Sequence, residues 1–300
     1  MGFAAFVLST GRCGTQWLAR MLDHLYGDRI AVTHEPLQDR YYPRSALARR
    51  YHPDGRSNLL LNVAEHLNQI ERQIESTSYV ECGHPCWSTV PDLLARFQGR
   101  IRIIHLVRHP VPTSCSWLTH GAYQPPAAPH LRSKVLLAPI DTGVRFPEYQ
   151  RNWPELSPFE KCVYYWLEVN TLALHLQSQE DLPWLQVRYE DLFAGDGLAR
   201  VLDFLELPPC EDAFGQRDLH VDQFQSITST WPDWRKIHEH PQAVMLANQL
   251  GYSVDELDES ALKRRYLPPA GGEETASAGE FNPPPAGEFN PPPAGEFNPG

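Results

Sequence analysis

An apolar run, Ala4 to Leu8, breaks at Ser9-Thr10-Gly11, and from Thr15 the residues Trp17, Leu18, Met21 and Leu22 recur at helical spacing. The run has the length and composition of a buried strand. The small residues free the backbone to turn, and the spacing beyond them marks an amphipathic helix. Strand, small-residue loop and helix together predict an α/β protein with an anion cradle. Successive backbone N–H groups point into such a loop, and the positive end of the helix dipole faces the anion. Arg12 adds a permanent cation whose planar fork suits phosphate or sulfate oxygens.

The cradle is not the nucleoside-triphosphatase form, G-x-x-x-x-G-K-[ST]. Gln16 stands where the second glycine belongs, and no Gly-Lys pair follows. Charge narrows the partners. The chain carries 26 Lys and Arg against 37 Asp and Glu, a net of −11. Five of the acids (Glu273, Glu274, Glu280, Glu288, Glu296) fall in a C-terminal stretch without Lys or Arg, so the body carries −11 + 5 = −6. A nucleic-acid or heparin binder would be basic; a small or cationic acceptor is compatible with this balance. The six cysteines are sparse rather than a disulfide framework. Cys82 and Cys86 have the spacing of a half zinc site without a second ligand pair, so no metal is expected. No apolar run reaches membrane-span length, and Gly2 to Leu8 is too short for a signal core, which gives an expectation of a cytoplasmic protein.

Further strands are predicted at Arg29–Thr33, Tyr79–Cys82, Ile101–Val107 and Leu185–Arg188. Helices are predicted at Leu60–Ile74, Val90–Phe97, from Thr113 to Trp117 onward, Pro158–Ser178 with Ser157 as cap, Leu198–Leu205, and Pro241–Leu250 stopped by Gly251. This alternation points to an α/β fold with a central, mainly parallel sheet flanked by helices. The segments 37–57 and 121–158 lack a sustained period and are expected to shape a substrate pocket. From Pro268 the chain changes character: Ala-Gly-Glu-Phe-Asn-Pro-Pro-Pro starts at Ala278, repeats at Ala286 and is cut short from Ala294. Such a period cannot bury a core, so residues 1–267 are expected to form one domain and 268–300 a disordered Pro-rich tail, open to weak interactions.

Four more segments complete a pattern. Arg108-His109-Pro110 ends the strand at 101–107, with Ser116 eight residues after Arg108. Arg188-Tyr189-Glu190-Asp191-Leu192 precedes Asp203-Phe204-Leu205-Glu206-Leu207-Pro208, and Trp234-Arg235-Lys236 precedes Leu250-Gly251-Tyr252. His34-Glu35-Pro36 follows the second strand. With Arg12-x-Gly14-Thr15-x-x-Leu18, these resemble, in order, the sulfotransferases that use 3′-phosphoadenosine 5′-phosphosulfate (PAPS), in their bacterial or carbohydrate-type branch. The resemblance implies a P-loop-like sulfotransferase fold. It also implies transfer of a sulfuryl group from PAPS to a hydroxyl or amine of a small-molecule acceptor (natural product, sugar or lipid headgroup), with PAP released.

By the same resemblance, Arg12, Cys13, Gly14, Thr15 and Gln16 bind the 5′-phosphosulfate, Arg108 and Ser116 bind the 3′-phosphate, and Tyr189 lies beside the adenine. Arg235 and Lys236 would contact phosphate from a closing loop. Where His109 stands the family often has Asp or Asn. Three residues compete as the base that takes the acceptor proton: Glu35 first, then His84, then His34. Arg12 would stabilise charge on the leaving phosphate. Two other readings stay open, a P-loop nucleotide kinase and a noncatalytic nucleotide-binding scaffold recruited through the tail.

Overall fold

The computed structural model describes residues 2–37, 61–125, 134–141, 143–179, 181–210, 227 and 230–267. Residues 38–57 and 126–133 of the two expected pocket segments, and the Pro-rich stretch 268–300, lie outside the described residues. Residues 1–267 make one compact unit.

Five strands, β1 (Ala4–Leu8), β2 (Ile30–His34), β3 (Ser78–Cys82), β4 (Ile101–Val107) and β5 (Trp184–Arg188), pair in the order β2-β3-β1-β4-β5, and every pairing is parallel. Parallel strands covered on both faces read as continuous apolar runs, which is why β1 shows no alternation. Its residues nevertheless divide by parity. Ala4, Phe6 and Leu8 enter a core on one face of the sheet, and Ala5 and Val7 a second core on the other. The first core receives the helices α2 (Leu61–Gln73), α4 (Pro110–Leu118), α5 (Pro158–Gln179) and α8 (Pro241–Gln249). The second receives α1 (Thr15–Tyr26) and α7 (Gly197–Phe204). The elements α3 (Val90–Arg96), α6 (Tyr189–Ala194) and α9 (Glu259–Tyr266) complete the described helices, with 3₁₀ turns at His84–Thr89, Pro147–Arg151 and Trp234–Glu239.

After β1 the chain runs to the edge strand β2 and returns inward through β3 on one side, then crosses to β4 and β5 on the other. The strand order therefore reverses between β1 and β4. Open α/β sheets leave a crevice beyond the carboxyl ends of such strands. The cradle loop follows β1 and Arg108 follows β4, so the topology directs both to one place.

Local chemistry accounts for where the elements begin. Helix α5 opens with a capping box: Ser157 Oγ accepts from Glu160 N at 3.3 Å, and Glu160 Oε2 accepts from Ser157 N at 2.9 Å. Helix α4 begins at Pro110, three residues earlier than the sequence suggests. Its prolines fall in the first turn, where no N–H is needed. His109 caps it through Nδ1, which accepts from Val111 N at 3.1 Å. Among the described residues no helix is long and apolar enough to cross a membrane, and no cluster of three or more His, Cys, Asp or Glu could hold a metal.

Candidate active site

The cradle turns through a left-handed stretch, with φ of 73° at Gly11, 60° at Arg12 and 84° at Gly14. At Gly11 a Cβ would meet Trp117 Cζ2 at 2.8 Å and His84 Cγ at 2.9 Å, so only glycine fits. Trp117 Nε1 donates to Thr10 O at 3.1 Å and pins the loop to α4. No side chain caps α1, whose first turn opens at Gly14. Arg12 Nε donates to Ser116 Oγ at 3.0 Å, and Arg108 Nη1 donates to Arg12 O at 2.8 Å. Arg108 is only 5% exposed. Its second amine donates to Tyr266 OH at 3.0 Å, and its guanidinium lies 4.3 Å from the centre of the Tyr189 ring. These bonds bind the two expected phosphate sites into one network.

Across the pocket stands a carboxylate between two histidines. Gly83 lets β2 and β3 end close together: a Cβ there would meet Glu35 Cγ at 2.5 Å. Glu35, at φ 46°, donates its N–H to Cys82 O at 3.1 Å and places Oε1 2.9 Å from His84 Nδ1 and 3.8 Å from His34 Nε2. Burial alone would raise the Glu35 pKa. The hydrogen bond and charge of His84, with His34 beyond, outweigh it and hold the carboxyl down at about 2. His34 Nε2 also lies 3.4 Å from Thr15 Oγ1 at the start of α1. His84 packs edge-on against Trp117, ring centroids 5.3 Å apart.

These groups line one pocket of about 310 Å³. Of the residues expected from the sequence, Arg12, Gly14, Thr15, Gln16, His34, Glu35, His84, Arg108, Ser116 and Tyr189 all border it. Cys13 does not. Its thiol is buried, 3.4 Å from Thr10 Oγ1 and 3.1 Å from Gly11 O, and burial raises its pKa. Nor does the pocket reach Arg235 and Lys236. Arg235 Nη2 pairs with Glu259 Oε2 at 3.0 Å and Lys236 Nζ with Glu160 Oε2 at 3.5 Å. Lys236 borders a separate, largely apolar cavity beside Trp231 and Phe159. The pocket instead takes cations that the motifs did not indicate: Arg265 from α9, and Lys134, whose Nζ stands 4.9 Å from the Trp117 ring centroid. His120 and Phe193 complete the wall. Arg12, Arg108, Lys134 and Arg265 thus face a single lining carboxylate, Glu35, in a chain whose net charge is −11. The arrangement can hold a doubly anionic ligand on the arginine side and remove a proton on the Glu35–His84 side.

No family model matches the chain, and no curated protein matches it. Solved structures do. The sulfotransferase domain from the curacin biosynthetic pathway is 17% identical, covering 84% of this chain and 99% of its own, with a TM-score of 0.46. The sulfotransferase domain from the Synechococcus PCC 7002 olefin synthase is 18% identical over 84% of this chain and 96% of its own, with a TM-score of 0.47. A sulfotransferase from Alicyclobacillus acidocaldarius is 14% identical over 87% of this chain and 98% of its own, with a TM-score of 0.43. Sulfotransferases are thus among the solved structures that this chain is similar to, as is a retinol dehydratase solved with PAP.

Proposed function

We propose that the chain is a PAPS-dependent sulfotransferase acting on a hydroxyl or amine of a small molecule. One observation carries the reading: the cradle with Arg12, and Arg108 with Ser116, join in a single hydrogen-bonded network that faces the Glu35–His84 pair across one pocket. The order of sequence motifs supports the identity of the donor. Residues 1–267 would carry the whole activity, in the cytoplasm, and the tail would be dispensable.

On this reading the cradle and Arg12 hold the 5′ end of the donor, while Arg108, Ser116 and Tyr189 hold the 3′-phosphate and base. Arg265 takes the part that the sequence suggested for Arg235 and Lys236. With Glu35 ionised and bonded to Nδ1, the His84 proton resides there and the basic lone pair is on Nε2. His84 Nε2 then accepts the proton, while Glu35, bonded to Nδ1, orients the ring and stabilises the charge it gains. As the acceptor oxygen or nitrogen bonds to sulfur, the bond from sulfur to the 5′-phosphate oxygen breaks. That oxygen leaves with the electron pair, and Arg12 meets its growing charge.

The test is thermal unfolding of the full chain with PAP, PAPS, or ATP and Mg²⁺, on the native protein and on Ser116→Ala, followed by turnover assays. A ligand that binds only the folded state raises the midpoint. PAP and PAPS should raise it, ATP should not, and Ser116→Ala should reduce the shift. A shift with ATP and Mg²⁺ alone would favour the kinase reading. PAP binding without turnover, or function lost when the chain ends at Leu267, would favour the scaffold.

A further inference from the structure

The pocket has one cation more than the donor's two anionic ends account for. Arg12 is bonded to Ser116, and Arg108 to Arg12 O and Tyr266 OH. Lys134 belongs to neither group. Its main chain is fixed where Tyr123 N donates to Lys134 O at 2.7 Å, beside a bridge to Ala122. The side chain carries Nζ into the pocket, 4.9 Å from the Trp117 ring centroid, and Trp117 in turn packs edge-on against His84. Lys134 therefore stands within electrostatic reach of both Arg12 and Glu35. Burial first, and then repulsion from Arg12, lower its pKa, while Glu35 attracts it from a distance. Among the described residues no carboxylate is within ion-pair distance of Lys134; its close partner is the indole face. Lys134 is exposed to solvent where it lines the pocket and has no counter-ion among the described residues, so an anionic group on a ligand can pair with it.

Resting on the sulfotransferase reading, we propose that the acceptor is itself an anion: an alcohol or amine bearing a carboxylate or phosphate group, held by Lys134 over Trp117 while its nucleophilic atom meets His84. Neutral alcohols of the same shape leave the ammonium unpaired and are poorer acceptors. A charge-assisted hydrogen bond at such a site is worth about tenfold or more in kcat/KM.

The experiment uses the full chain with PAPS and matched acceptors: β-hydroxybutyrate and its amide, para-hydroxyphenylacetate and its amide, and the monophosphates of the corresponding diols. PAP formation is followed for the native protein, Lys134→Met and Lys134→Glu, and the midpoint shift with PAP is recorded for each. The native protein should favour charged members over amides by about tenfold or more, and the carboxylate and phosphate arms say which anion it prefers. Lys134→Met should abolish that ratio through KM, and Lys134→Glu should turn it against anions. The shift with PAP should persist in both variants. Equal use of amides and anions, use of amides alone, no turnover of any member, or a ratio that survives Lys134→Met overturns the anionic acceptor while leaving the donor site standing. A uniform fall in kcat for every acceptor in Lys134→Met also overturns it, because the lysine would then serve the transferring group. Absence of a PAP shift in the native protein is the separate failure of the donor reading.

Discussion

Arg12 and Glu35 both hold left-handed backbone, at φ 60° and 46°, a region that residues with a side chain seldom occupy. Each is a charged group of the pocket, and each is kept in place by neighbours: Arg12 by Arg108 at its carbonyl, Glu35 by the Cys82 carbonyl at its N–H. Strain of this kind persists where surrounding contacts over-determine it. Gly83 is the neighbour on which the Glu35 position depends most closely, because a methyl group there would sit 2.5 Å from Glu35 Cγ and 3.1 Å from its main-chain N. The Gly83 backbone itself is extended, so alanine is not strained there and the whole effect falls on Glu35. Gly83→Ala should move the carboxylate off His84 Nδ1 and lower kcat by about tenfold to a hundredfold, the scale of a small misplacement at a reacting centre. The PAP-induced rise in midpoint should stay as in the native protein, since the arginine network lies across the pocket. Equal losses in both measurements would mean that Gly83 supports the whole loop rather than the dyad.

Helix α9 closes the arginine side of the pocket. Asp258 caps it by accepting from Ala261 N at 3.0 Å, Glu259 begins it, and Lys263, Arg264 and Arg265 fill its last turn, in keeping with the helix dipole. Its last residue, Tyr266, is fully buried; the OH accepts from Arg108 and donates to Pro112 O at 3.2 Å. Tyr266→Phe should leave the buried Arg108 with one acceptor fewer, costing about 1–3 kcal/mol, and should weaken PAP binding as well as lower the midpoint. Isothermal titration with PAP checks this; unchanged affinity would show that Arg108 is held well enough by Arg12 O alone. The sequence offered little sign of α9, because its eight residues carry few apolar side chains. The cap and the acid-first, base-last order were the available signal. Lys134 was hidden for a related reason: it comes from an aperiodic segment, and only packing on Trp117 brings it to the site. The strands and long helices were legible because burial on two sheet faces writes itself as continuous apolar runs. The strand-end motifs were legible because topology at the β1–β4 reversal needs only short range order after each strand. Placement of Arg235 and Lys236 depended on long-range packing, and the acids of α5 and α9 take them up.

At the scale of the whole molecule, stability should be governed on the acid side by buried histidines. His105 lies fully buried in β4 with Nε2 2.9 Å from Asn170 Oδ1; burial outweighs that bond and lowers its pKa to about 4. His109 is lowered to about 4 as well, by burial first and also by the Arg108 charge, against the bond to the Ser253 carbonyl. Its two contacts require the neutral ring: Nδ1 accepts from Val111 N, so the proton is on Nε2, 3.2 Å from Ser253 O. His240 is lowered by burial too, although Glu160 opposes the change. A histidine with a depressed folded pKa binds its proton first in the unfolded chain. The stabilisation is therefore complete above the ordinary value of 6.5 and is lost as the pH falls from there toward about 4. His105 and His109 each contribute roughly 3 kcal/mol across that window. Glu35, held at about 2, loses its share only below its ordinary value of 4.5, so the scaffold should fail in acid before the site carboxylate is protonated. Urea unfolding at a series of pH values checks the order. Stability should fall steadily between about pH 6.5 and 4. In His109→Asn, whose amide oxygen can still cap α4, the slope should shrink without vanishing, because His105 and His240 remain. A slope unchanged in His109→Asn would show that the cap titrates no differently folded and unfolded, and a flat profile in the native protein would remove all three histidines from the account.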